Sequence, residues 1–249
     1  MQQLMVNDLF NDNIVSIFTD ASSKRQNNGK YTTASAVMIY IGQQLVQSNV
    51  FVFKDSTISI GELFAVYQGI IMGYEISKIH DKEISFLYSD SKYAISGLTE
   101  WLSGWVTNSQ DNVFINSSFR EVANQKFFHA AVSFIFNNNY NIRLVKTRGH
   151  VDNEASLKTA IKYINSENYV FNDVSLNDQT VREISDKNNL VDVLARDSIS
   201  GELNMSFIPS AENIFPIYFM NTTFSVFCNY ANNISLYQGV RKENGSINY

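Results

Sequence analysis

Two short apolar runs, NIVSIFTDAS (residues 13–22) and EISFLYSD (83–90), each end at an aspartate. Runs of this length, rich in β-branched and aromatic residues, read as strands. If the two are neighbours in one sheet, Asp20 and Asp90 emerge at the same edge. That pairing limits the folds open to the chain more than any other feature.

The segments between them build the rest of the sheet. TTASAVMIYIG (32–42) and QLVQSNVFVFK (44–54) are separated by very little and predict an antiparallel hairpin. From Ser59 to about Lys78, apolar residues fall at helical spacing (Leu63, Val66, Tyr67, Ile70, Ile71, Tyr74). SKYAISGLTEWLSGW (91–105) and a stretch from Ser118 to Phe136 also read as helices, and NIRLVKT (141–147) as the last strand. A polar, weakly periodic stretch from His150 to Asn188 follows, of which EASLKTAIKYIN has helical character. NNLVDVLARDSI (188–199) is helical in spacing. The order β-β-β-α-β-α-α-β-α predicts an α/β fold, a mixed five-stranded sheet flanked by helices.

Bulk properties narrow the function classes. The chain is long enough, at 249 residues, to bury a sizeable core, and its one cysteine, Cys228, excludes an internal disulfide framework and a cysteine-based zinc site. No run approaches the roughly 18–20 apolar residues of a membrane span, and the N-terminus does not resemble a secretory signal. A soluble, cytoplasmic protein is expected. The net charge of −5 runs against the basic balance usual in nucleic-acid binders. A bound divalent cation can supply the local positive charge that composition does not show.

Four carboxylates and a histidine stand out: Asp20, Glu62, Asp90, Asp192 and His150. Clustered carboxylates raise one another's pKa, and a hard divalent cation relieves that repulsion. Each residue also has a plain structural reading. Asp90 could cap the next helix, and Ser59-Ile-Gly-Glu62 has the form of a capping box. Asp20 could start a turn, Asp192 could be a solvated helix residue, and His150 a surface side chain.

Taken together, FTDAS (Asp20), GELFAVYQGI (Glu62), LYSDSKYAISGLTEWLSGW (Asp90), VKTRGH (His150) and NNLVDVLARDSI (Asp192) resemble the type 1 ribonuclease H family. The aspartate-Ser-x-Tyr helix start closed by Trp-x-x-x-Trp is the most distinctive piece. The resemblance covers about residues 13–199 with gaps. It implies a ribonuclease H-like fold and an endonuclease that hydrolyses the RNA strand of an RNA–DNA hybrid. It also implies two Mg²⁺ ions, with Mn²⁺ able to substitute, held by Asp20, Glu62, Asp90 and Asp192. His150 would assist proton transfer or product departure.

The family's last aspartate follows soon after the histidine in a pattern like N-E-x-x-D-x-L-A. Here Asn153-Glu154 imitate its start but Leu157 takes the aspartate's place, and Asp192 in NNLVDVLA restores the pattern. An insertion of about 153–187 is therefore inferred, within a domain of 1–199. Asp197 and Asp152 are weaker candidates for the fourth carboxylate. Thr57, Ser59, Lys92 and Arg148 are the candidate substrate contacts, with Lys24, Arg25, Lys30 and Lys146 as further basic candidates. The aromatic-rich segment 200–249 reads as an extension packed on the core, or as a surface for a protein partner or self-association. The alternatives are a ribonuclease H-like nuclease acting on DNA, and an inactive interaction module of the same fold.

Overall fold

In the computed structural model the described residues are 9–109, 113–166, 171, 175–199 and 206–207. Strands β1 (Ile14–Arg25), β2 (Tyr31–Ile41) and β3 (Gln44–Lys54) form an antiparallel meander. Helix α1 (Ile58–Ile79) crosses back to β4 (Ile84–Ser89), which lies parallel to β1. Helix α2 (Lys92–Ser96), a π-helical turn (Gly97–Trp101) and α3 (Leu102–Thr107) follow without a break. Then come α4 (Gln125–Asn137), β5 (Ile142–Lys146), α5 (Glu154–Ser166) and α6 (Asp178–Ile199). The five strands expected from the sequence are joined by a two-residue β6 (Ser206–Phe207) beside β3, giving the order β5-β4-β1-β2-β3-β6. The rest of the 200–249 extension lies outside the described residues.

Alternation along the strands separates two cores. Val15, Ile17, Val37, Ile39 and Leu87 face a layer made by α1 to α4. Ile14, Phe18, Met38, Phe86 and Tyr88 face α5 and α6. The result is a helix–sheet–helix sandwich. Alternation past Phe18 and Tyr88 also directs Asp20 and Asp90 to the α5–α6 side, at one end of the central strands.

Helix α1 lies unusually close to the sheet because glycines face it. A Cβ on Gly61 would overlap the Thr33 methyl and stand 3.1 Å from that of Ala21, and one on Gly69 would stand 2.7 Å from the Thr19 methyl. Close approach of the helix start carries Glu62 to the same end of the sheet as Asp20.

Several sequence expectations are corrected. β1 does not end at Asp20 but runs five residues further, pairing with β2 through Arg25–Tyr31. The helix expected from Ser118 begins only at Gln125. Asn116 diverts the chain first: its side-chain oxygen accepts from the amides of Ser118 (2.9 Å) and Arg120 (3.1 Å), a local bond that competes with helix. The helix at 188–199 starts ten residues earlier, at Asp178, capped by Asn177, whose side chain accepts from the Thr180 amide at 2.8 Å. Its buried stripe includes Thr180, Ser185 and Asn188, so hydrophobic periodicity understates it.

The described residues of the 153–187 stretch contribute to the core. Asn153 caps α5, accepting from the Ser156 amide at 2.9 Å, and Leu157 is buried with Ala160 and Ile164. With Phe171, Leu176, Val181 and Ile184, these residues form much of the second core.

Candidate active site

Asp20 and Asp90 meet through strand register. Phe18 pairs with Tyr88 in the parallel β1–β4 ladder, and each aspartate follows two residues later. Asp20 sits within β1, only 8% exposed, with Oδ1 accepting from the Ala21 amide at 2.7 Å. Asp90 comes just after β4 and is not the helix cap. That role falls to Ser91, whose hydroxyl oxygen accepts from the Ala94 amide at 3.2 Å. The same hydroxyl donates to Glu62 Oε2 at 2.9 Å, joining α1 to the start of α2.

The capping-box reading of Glu62 also fails. Thr57 is the N-cap of α1, accepting from the Ile60 amide at 3.4 Å. Glu62 therefore lies in the second helical turn, beyond the first-turn position expected for it, with its carboxylate committed to Ser91 rather than to a backbone amide. Asp192 reaches the cluster from α6 on the other side of the sheet. Its side chain is 23% exposed and accepts from Arg196 Nη1 at 3.1 Å. Asp197, one turn on, is 56% exposed and lies beside Arg196 at 3.9 Å.

The electrostatics tie these residues into one site. Burial first, then Asp90, with Asp192 and Glu62 adding, push the Asp20 carboxyl up to about 8 despite the Ala21 hydrogen bond. Burial also raises Asp90, opposed by the nearby His150 and Lys146 charges and reinforced by Asp192. Burial raises Glu62, which the Ser91 hydrogen bond opposes and Asp90 reinforces. His150 is exposed, in left-handed backbone (φ 54°), in the loop after β5. Neither Asp197 nor Asp152 contributes to the shifts of Asp20, Glu62 or Asp90. Of the three candidates for a fourth carboxylate, Asp192 is the one whose charge acts on Asp20 and Asp90.

Two side chains that sequence reading did not single out hold the last helix and the histidine loop together. Buried Asn188, one turn before Asp192, accepts from the Thr147 hydroxyl at 3.0 Å. Thr147 also donates its amide to the Ser89 carbonyl at 2.9 Å, at the end of β4. Asn189 donates to the Val151 carbonyl at 3.2 Å. The doublet Asn188-Asn189 directly precedes the aspartate motif, a signal visible in the sequence but without apolar periodicity.

The substrate candidates divide. Lys92, the first residue of α2, and Arg148, next to Gly149, are exposed beside Asp90 in the chain or in space. Thr57 is exposed and Ser59 half-buried at the start of α1. Lys30 is occupied with Asp55 at 2.6 Å. Lys146 donates to the Tyr163 hydroxyl at 2.9 Å and lies 4.3 Å from the centre of that ring.

The donor set suits a hard divalent cation, since four carboxylates supply oxygen ligands and their mutual repulsion needs a counter-charge. Among the described residues, no three acidic, histidine or cysteine side chains lie close enough together to hold a metal ion as they stand. Each carboxylate is turned to a local partner instead: Asp20 to Ala21, Glu62 to Ser91, Asp90 towards Gly149 and Asp192 to Arg196.

Residues 12–163 match the family model described as RNase H. The chain belongs to the RNase H family. It is 32% identical over 141 residues to the Ribonuclease H of Acetivibrio thermocellus, covering 56% of this chain and 85% of that relative. It is 31% identical over 75 residues to the Ribonuclease H of Erythrobacter litoralis, 30% of this chain and 49% of that protein. The solution structure of the PFV RNase H domain aligns with a TM-score of 0.47 at 14% identity, over 63% of this chain and 94% of that one. Membership makes the chain a hydrolase of the ribonuclease H kind, a family that works with divalent metal ions. The family match ends inside α5, so Asp192 is joined to the cluster by the fold and not by the matched sequence.

Gly149 offers a test of how finely Asp90 is placed. A Cβ there would overlap Asp90 Oδ2, the mobile end of a side chain. Gly149→Ala is expected to turn the Asp90 carboxylate and lower activity by up to about 100-fold, the effect of a misplacement near 1 Å. Melting temperature should hardly change, because no backbone is displaced. Activity and thermal denaturation measured on one preparation check both halves.

Proposed function

We propose that the chain is an endoribonuclease that hydrolyses the RNA strand of RNA–DNA hybrids, with two Mg²⁺ ions (or Mn²⁺) held by Asp20, Glu62, Asp90 and Asp192. The observation that supports this reading is that Asp20 and Asp90 follow paired residues of neighbouring parallel strands, with the charges of Glu62 and Asp192 acting on Asp20. When bound, such ions stabilise charge on the scissile phosphate and leaving oxygen. The chain's own residues supply the rest. Asp20 and Asp90, fixed by the β1–β4 register, set the oxygens around which the site is organised. Ser91 ties Glu62 to the start of α2, next to Asp90, and Asn188 with Thr147 ties the turn before Asp192 to the end of β5. His150, exposed beside Asp90, exchanges a proton at an imidazole nitrogen with the attacking water or the departing 3′ oxygen. Lys92 and Arg148 contact backbone phosphates, and the open amides at the start of α1, with Thr57 and Ser59, receive another. Water adds to phosphorus, the bond to the 3′ oxygen breaks, and the products carry 3′-hydroxyl and 5′-phosphate ends.

The hybrid reading is supported by membership of a family whose relatives are named Ribonuclease H. The test is cleavage of an end-labelled hybrid with Mg²⁺ or Mn²⁺, alongside duplex RNA, duplex DNA and single strands. Cutting confined to the RNA strand of the hybrid, and abolished by chelation, is expected. No hybrid cleavage by folded protein with either metal overturns the reading, and cleavage of the DNA strand replaces it with that of a DNA nuclease.

A further inference from the structure

Of the exposed large apolar side chains among the described residues, only Leu190 and Val193 lie within one helical turn of each other. They are 53% and 39% exposed on the outer face of α6, and half-buried Leu194 adjoins them. The neighbours of α6 fix the flank on which they stand. Asn189 donates to the Val151 carbonyl, so its flank faces the histidine loop. Lys187 lies 4.2 Å from the centre of the Tyr40 ring and donates to Gln43 at 3.1 Å, so its flank faces the end of β2. Leu190 and Leu194, three and seven residues after Lys187, continue the Lys187 flank. The sheet margin beyond it is apolar too. Val50 of β3, paired with buried Ala36, is half-buried against the second core, and Leu45, paired with Tyr40, is 44% exposed. An apolar trough therefore runs between α6 and the β3 margin.

The chain itself supplies an occupant at the rim. Strand β6 lies parallel to β3 beside Phe51 and Val52, so residue 208 sets out from the edge of the trough. The segment IPSAENIFPIYFMNTTFSVFCNY (208–230) follows, with six aromatic residues and a single charged one, Glu212. A segment of that composition is driven to bury itself. We propose that residues 214–230 occupy the trough, covering Leu190, Val193 and Leu194 and bracing the turn of α6 that carries Asp192. The intervening residues 208–213 span up to about 20 Å when extended, enough to cross from a strand to a helix packed on the same sheet. Tethering favours this occupant over a second copy of the chain, because a segment attached at the rim competes at an effective concentration on the order of mM. Charge agrees: Asp186 and Asp197 are exposed at either end of the Leu190–Val193 face, and residues 214–230 contain no acidic group to be repelled by them. This inference does not depend on the hybrid-cleavage reading.

Cys228 is the chain's one cysteine, so a thiol reagent applied to the full chain reports on this segment alone. Labelling in native buffer should be about a hundredfold slower than in denaturant, at a rate independent of protein concentration. Leu190→Lys combined with Val193→Lys should speed it by about tenfold or more and lower the melting temperature, effects foreign to positions that face water. Ile79→Lys, at the end of α1 and 72% exposed, should change neither. With p-benzoylphenylalanine in place of Leu190, irradiation should crosslink to residues 214–230 within one chain, a readout that decides the matter if the lysine variant does not fold. Native labelling as fast as in denaturant overturns the inference. So does slow labelling that the lysine pair leaves unchanged, which places the segment elsewhere on the protein. A crosslink between chains assigns the trough to a second copy and overturns it as well, as does a crosslink that misses residues 214–230.

Discussion

Asp192→Asn should lower hybrid cleavage by about a thousandfold or more, while Asp197→Asn should leave it within about twofold. A metal ligand supplies several kcal/mol of transition-state stabilisation, and each 1.36 kcal/mol is tenfold in rate. Asparagine keeps the shape of Asp192 but removes the charge that acts on Asp20 and Asp90. Folding should be nearly unaffected, because the ion pair lost with Arg196 is largely solvated, with Arg196 56% exposed. Asp197 stands outside the group of carboxylates that shift one another. Initial rates on a labelled hybrid, with divalent-ion titrations of both variants, check this. Full activity in Asp192→Asn with loss in Asp197→Asn would mean that α6 presents a different face.

The second large effect is on stability, and it depends on pH. Asp20 ionises near its ordinary 3.8 in the unfolded chain and only at about 8 in the folded one. Below pH 4 both forms are protonated and the burial of Asp20 carries no added penalty. As pH rises from about 4 to 8, the unfolded chain releases a proton that the folded chain retains, so stability falls, by up to about 1.4 kcal/mol per pH unit. Above pH 8 the loss levels off. Glu62 and Asp90 are raised too and act with the same sign. In the presence of chelator, Asp20→Asn should therefore melt several degrees above the wild type at pH 8, at roughly 2–4 °C per kcal/mol, with the gap closing towards pH 4. Divalent ions should raise the wild-type melting temperature most at pH 8 and leave Asp20→Asn little changed. Calorimetry across pH decides it: a gap that widens towards low pH would contradict the account.

The legible parts of this protein were those where hydrophobic period and chemistry coincide. Phe18 and Tyr88 lie on apolar alternating runs, so the strands, and the aspartates two residues beyond, could be read directly. Their adjacency required the sheet order, which no local pattern encodes. Helix α6 was read only over its C-terminal half, because its earlier turns bury only Val181 and Ile184 as apolar residues and complete the stripe with Thr180 and Ser185. Residues 118–124 were misread as helix because Asn116 captures amides that apolar spacing does not register. Glu62 was given the wrong local geometry, since Thr57 took the cap and Ser91, distant in sequence, took the carboxylate. Leu157, where the family's pattern has an aspartate, makes sense once α5 is seen as a core-packing helix, and in the proposed reading Asp192 on α6 takes that aspartate's part.

The most direct test of the central claim is an anomalous difference map from crystals of the full chain soaked in Mn²⁺. The expected result is manganese at the end of the sheet, coordinated by carboxylate oxygens of Asp20 and Asp90 with Glu62 and Asp192 turned inward, Asp192 having left Arg196. Manganese absent from that position, or bound through Asp197 or Asp152 while Asp192 stays paired with Arg196, would contradict it.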